Sequence, residues 1–200
     1  ALSRRGLTRI QHDFIDPQMQ YIRSCNQGLW FNAGRILGMI VLSRAWPRSS
    51  IRLKEVVADT REMFDQIYAR DGGSVEGPAY WRVTTSYGLL GLTALARHLK
   101  CDPADLVPAK IRNLPHYPPV VMSQARPGCA LPIGDSRGDE VCPFSVAAMI
   151  DRLFPTAASA RLVGYMSGVV PSKPKGRELH FEGLSDPGWS LIFGPDRLKV

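Results

Sequence analysis

Tyrosine and carboxylate side chains can move or steady a proton, and this chain places two of each in one stretch, Asp71 to Tyr87, which reads DGGSVEGPAYWRVTTSY. Tyr80, Thr84 and Tyr87 are four and three residues apart, so on a helix they share one face as a stripe of hydroxyls. Glu76 stands just before that stripe and can serve as a carboxylate base or ligand. Packing alone does not call for two phenols and a threonine in register beside a GG and a GP, so a site is the sharper reading. The spacing is equally compatible with two core aromatics whose hydroxyls find partners.

Those groups need a scaffold. Gly72, Gly73, Gly77 and Pro78 specify a non-helical loop, and the absence of proline from Ala79 to Asp102 predicts that a long helix, Ala79 to His98, leaves it. Upstream, Ile10, Phe14, Ile15, Met19 and Ile22 recur at helical spacing, with Pro17 starting or kinking a helix that ends near Ser24. The segment SCNQG follows. From Leu29 to Trp46 apolar residues surround the axis, which predicts a helix buried on every face and stopped by Pro47. A third helix, capped by Ser49 or Ser50, turns Leu53, Val56, Val57, Thr60, Phe64, Ile67 and Tyr68 inward and leaves Asp59, Glu62 and other charges for solvent. Buried and amphipathic helices thus alternate, a pattern of inner helices wrapped by outer ones.

Asp102 caps a segment with Pro103 at its first position, running through Leu106, Val107 and Ile111 toward Pro115. Pro118-Pro119 reads as a break or kink. RPGCALPIGDSRGDE, residues 126–140, is loop-like and presents Asp135 and Asp139, and helices are expected at Phe144 to Leu153 and Ala157 to Tyr165. The end of the chain changes character: Pro171 to Gly176 forms a basic linker, and Trp189 to Phe193 reads as one short strand. A lone strand is unstable, so it is expected to open a sheet that continues past this chain. The chain divides on this reading into a helical domain, 1–170, and a linker with a first strand, 171–200.

Composition bounds the partners. The 200 residues are 44% hydrophobic and 22% charged, an ordinary globular balance, and the formal charge of +7 favours an acidic substrate. Basic residues are scattered without a block or nucleic-acid motif, which argues against nucleic acid. The most apolar run, Ile36 to Leu42, is too short to span a bilayer, so no membrane partner is expected. Four widely spaced cysteines suggest neither a zinc site nor a redox motif; free buried thiols are the plain expectation, with a Cys129–Cys142 disulfide left open. No metal or cofactor is expected.

The run DGGSVEGPAYWRVTTSY closely resembles the DGG-x-x-EG-x-x-Y motif of heparinase II/III-like polysaccharide lyases, a group similar to alginate lyases and to dermatan-sulfate epimerase. Ser24 to Gly28 resembles the family's S-x-N-H-G segment, at the family's separation from the tyrosine, and Ile133 to Ser136 resembles a further segment. The resemblance covers residue 15 onward. It implies an incomplete α/α toroid of helical hairpins followed by a β-sandwich domain, a periplasmic or secreted setting, and an acidic, uronic-acid-containing polysaccharide or oligosaccharide as substrate. The implied reaction is β-elimination, with Tyr80 and Asn26 catalytic and Gln27, Glu76, Trp81, Arg82 and Tyr87 in substrate binding. Asn26 would bind the uronate carboxylate and Tyr80 would act on the C4 and C5 side, the two within about 10 Å because both must reach one sugar ring. A phenol titrates near about pH 10, so a tyrosine base needs nearby cations or donors, with Arg82 and Arg35 the candidates by sequence. The plainer reading of Asn26 is a helix cap. Gln27 stands where the family commonly has histidine; it donates a hydrogen bond but exchanges no proton near neutral pH. His12, His98, His116 and His180 lack motif context. Two rivals remain at this stage: a helical-toroid hydrolase pairing Glu76 with Asp71 or Asp135, and a non-catalytic glycan-binding module.

Overall fold

The computed structural model describes residues 16–43, 49–134, 136, 138 and 142–168. They are mostly helical, and among them no strand forms; there are isolated bridge residues, with an antiparallel bridge between Met122 and Ala130. Pro47, Asp135, Asp139, the 171–176 linker and the expected strand at Trp189 lie outside the described residues. The chain resolves into two compact units: one contains residues up to Arg70 together with Val83–Ile111, the other Asp71–Arg82 together with Arg112 onward.

In the first unit a 3-10 helix, Pro17–Ser24, starts where Pro17 predicts, with Asp16 as its cap accepting the Gln18 N–H at 2.9 Å. Helix α1, Asn26–Ser43, and helix α2, Ser49–Ile67, follow. Helix α3, Pro78–Leu99, contributes its Val83–Leu99 part to this unit. Leu29, Ala33, Ile36, Val56, Met63, Phe64, Ile67, Tyr68, Leu89, Leu92 and Leu95 form the core. A Cβ added at Gly91 would stand 3.0 Å from the Ala33 Cα, so the small residues of α3 let it close on α1 backbone to backbone. Helix α3 is buried or half-buried around its axis until Arg97.

The reading of α1 needs correction. Gly28, Leu29, Asn32, Ala33, Arg35, Ile36 and Met39 are buried, but Trp30, Phe31, Leu37 and Val41 are exposed. Apolar residues all around a helix say that it can be covered on every side, not that it is. Asp59 was expected to face solvent and instead turns inward: its Oδ1 accepts from Arg23 Nη2 at 2.7 Å and its Oδ2 lies 2.7 Å from Arg35 Nη1. Arg35 is fully buried, and Glu62 also pairs with Arg23. Burial lowers the Arg35 pKa against the pull of Asp59, while for Arg23 the two carboxylates outweigh desolvation and raise it.

The second unit takes the start of α3 and everything after Ile111 that is described. The segment after Asp102 is two 3-10 pieces interrupted at Val107-Pro108: Pro103–Leu106, which belongs to the first unit, and Ala109–His116, which begins in the first and from Arg112 belongs to the second. Pro118 and Pro119 do not break a helix but begin one: α4, Tyr117–Val121, carries proline in its first positions, where a missing N–H costs nothing. Helices α5, Phe144–Leu153, and α6, Ala157–Ser167, form a hairpin. Its corner is a capping box: Thr156 Oγ1 accepts the Ser159 N–H at 3.0 Å, and Ser159 Oγ accepts the Thr156 N–H at 2.8 Å. None of the four cysteines forms a disulfide; Cys129 and Cys142 are buried, Cys25 and Cys101 half-buried.

Candidate functional site

The DGG–EG loop, Asp71 to Gly77, is as tightly determined as its glycines suggest. Gly72 has φ +86°, and a Cβ there would lie 2.2 Å from the Asn113 carbonyl oxygen. No other residue fits. At Gly73 the limit is a ring: a Cβ would meet Tyr117 Cδ2 at 2.9 Å. Asp71 Oδ1 accepts the Gly73 N–H at 2.9 Å, Ser74 Oγ accepts the Glu76 N–H at 3.3 Å, and the Ser74 carbonyl accepts the Gly77 N–H at 3.2 Å. Gly77, at φ +89°, then hands the chain to α3, where its carbonyl accepts the Trp81 N–H at 2.9 Å.

Trp81 secures the loop from below. It is 0% exposed, and its Nε1–H donates to the Gly72 carbonyl at 2.8 Å while its ring lies 5.8 Å from that of Tyr117. A side chain so enclosed reaches no substrate. Trp81 therefore holds the loop in place instead of binding sugar directly, a departure from the sequence reading. Neighbouring Tyr80, Glu76 and Arg82 are half-buried, each with polar or ring contacts of its own, so they keep a path to solvent that Trp81 lacks. The 133–134 segment closes on the same loop: ideal Cβ positions at Gly77 and Gly134 are each 3.4 Å from a carbonyl oxygen, of Ile133 and Glu76 respectively.

Two consequences are measurable. Gly72→Ala forces a left-handed alanine against the Asn113 carbonyl, and the strain and overpacking together should cost about 2–5 kcal/mol of stability, readable as a lowered denaturant midpoint. Tyr117 was not singled out by sequence, since nothing around it marks a site; its signal is the bulk of its ring against a glycine. Burial, aided by the Asp71 carboxylate, raises its pKa. A phenol whose folded pKa is raised supports the fold fully below its unfolded pKa and loses that support as pH climbs through the folded value. Tyr117→Phe should accordingly flatten the alkaline limb of the stability curve above about pH 10 in titrated thermal melts.

In the first unit, Asn26 begins α1 and is half-buried, whereas Gln27 is exposed. Tyr87 is half-buried and stacks on Trp30, ring centroids 5.1 Å apart and 13° from parallel. Thr84, the middle of the expected hydroxyl stripe, is fully buried, and its Oγ1 has no hydrogen-bond partner. The stripe is thus interrupted: Tyr80 and Tyr87 are partly accessible, and Thr84 belongs to the interior. Arg35, a sequence candidate for lowering the pKa of Tyr80, is engaged with Asp59. Among the described residues no group of three or more His, Cys, Asp or Glu side chains could hold a metal ion, and no helix is long and apolar enough to cross a membrane. No family model, curated protein or solved structure matches the chain.

Proposed function

We propose that this chain is the helical part of a polysaccharide lyase that cleaves a uronic-acid-containing polysaccharide by β-elimination, within an incomplete α/α toroid completed by a β-sandwich. The observation that carries the reading is the DGG–EG loop, in which Gly72 is demanded by both φ and an approach of 2.2 Å, and Trp81 is spent wholly on gripping the loop beside Tyr80. A turn that admits only glycine at a fixed place is a shaped loop, and shaped loops are where functional side chains are commonly presented.

In this mechanism Asn26 donates its amide N–H to the substrate carboxylate and favours the enolate-like charge that develops there. The Tyr80 phenolate takes the C5 proton; the C5–H electron pair becomes the C4–C5 double bond, the C4–O bond breaks, and the departing glycosidic oxygen takes the proton back from the Tyr80 hydroxyl. One residue performs both transfers because Gln27 exchanges no proton. Arg82 supplies positive charge near the phenol, and Glu76 and Gln27 bind sugar hydroxyls. The net positive charge of the chain suits a polyanionic substrate.

A non-catalytic glycan-binding module is the second reading, favoured by Gln27 in the place where a histidine is usual. The test is a digest of candidate polyuronates by the full gene product in water enriched in heavy oxygen. Elimination gives fragments with no oxygen from water, whereas hydrolysis incorporates it at the new reducing end. A binding module gives no fragments at all.

A further inference from the structure

The exposed face of α1 carries an arrangement that neither the packing of the first unit nor the roles given above require. Trp30 is 37% exposed and Phe31 39%, large areas for two adjacent aromatic rings. Trp30 lies nearly parallel to Tyr87, and the Phe31 ring is 6.3 Å from that of Trp30 at an angle of 31°. Three rings from two helices are thus gathered at one partly wet place. Gln27 precedes Trp30 and Phe31 by three and four residues, which puts its exposed amide on the same helical face. Gly34 follows them by four and three, and a Cβ placed there would meet nothing within 4 Å. Along this face, then, an amide, two rings and an open floor succeed one another.

We infer that the Trp30–Tyr87 stack, with Phe31 beside it and Gln27 at its end, is a sugar-binding subsite that seats a pyranose ring of the same polysaccharide beyond the residue undergoing cleavage. The inference rests on the lyase reading for the identity of the sugar. The chemistry of the face favours this occupant. A pyranose offers a face of C–H bonds, which suits the electron-rich face of an aromatic ring, and a rim of hydroxyls, which suits a neutral amide that both donates and accepts. Gln27, Trp30, Phe31 and Gly34 carry no charge, so the surface would hold a sugar ring without competing for the carboxylate assigned to Asn26. The face is also continuous with that assignment, since Asn26 is one helical turn before Trp30. Rings already aligned by their mutual stacking lose little freedom when a ligand arrives.

The test is calorimetric titration of the full gene product and its Trp30→Ala, Trp30→Phe and Tyr87→Leu variants with short and long saturated alginate oligosaccharides, and with neutral gluco-oligosaccharides. Circular dichroism verifies that each variant is folded. Trp30→Ala should weaken binding of the long alginate oligomer about tenfold and leave the shortest nearly unaffected, while Trp30→Phe, which keeps a ring, should lose less. Wild-type tryptophan fluorescence should change on binding the long oligomer, and Trp30→Phe should lack that change. Unaltered affinities in all variants would overturn the subsite. So would a wild-type protein that dimerises through this face in sedimentation experiments and comes apart on Trp30→Ala. Binding of neutral oligosaccharides alone, lost on Trp30→Ala, would uphold the sugar platform while removing the uronate reading.

Discussion

Tyr80→Phe is expected to lower the rate of polyuronate cleavage by the full gene product by about 10² or more, with the fold retained. The substitution keeps the ring of a half-buried side chain and removes only its hydroxyl oxygen. That oxygen is the single atom to which the mechanism assigns both proton transfers, so no neighbouring group can take over cheaply. The loss should fall on kcat more than on KM, because a proton in flight exists only in the transition state. Stability should change by no more than about 1 kcal/mol, the ordinary worth of one hydrogen bond. A variant that releases product at the parental rate removes Tyr80 from the mechanism.

Asp59→Ala is expected to be the most destabilising single change in the first unit, by about 3–5 kcal/mol in chemical denaturation. Asp59 stands 2.7 Å from Arg35 and 2.7 Å from Arg23, and Arg35 is 0% exposed. Its removal leaves the Arg35 guanidinium enclosed without its nearest carboxylate, and water has no ready access to replace it. Arg23 is less affected because Glu62 still pairs with it. Asp59→Asn should cost less than alanine, since an amide oxygen keeps a hydrogen-bond acceptor in place. Equal stability of wild type and Asp59→Ala in urea titration would mean that the cluster is not the organising contact between α1 and α2.

Much of this architecture was legible because the sequence signals were local. Pro17 announced a helix start, Asp102 with Pro103 announced a capped turn, and the apolar stripe of α2 told its two faces apart. The glycines of the DGG–EG loop also declared themselves, since φ above zero has few other uses. What escaped was set by partners distant in the chain. Asp59 read as one more charge on a polar face, and only Arg23 and Arg35, 36 and 24 residues earlier in the chain, draw it inward. Trp81 sat inside a motif and so looked like a ligand-facing residue, yet its neighbour at Gly72 claims its N–H. Tyr117 lay among prolines, without periodicity to mark it. The face of α1 that carries Trp30, Phe31 and Val41 is apolar in sequence and open in the fold, because hydrophobic patterning encodes what can be buried and not what covers it.

The most direct measurement is the near-ultraviolet absorbance of a polyuronate solution during incubation with the full gene product. β-Elimination creates a double bond conjugated with the uronate carboxylate at every cut, so the account predicts an absorbance that rises in proportion to the number of new reducing ends and nearly vanishes for Tyr80→Phe. New reducing ends that appear with no rise in absorbance would contradict it and assign the chain to hydrolysis.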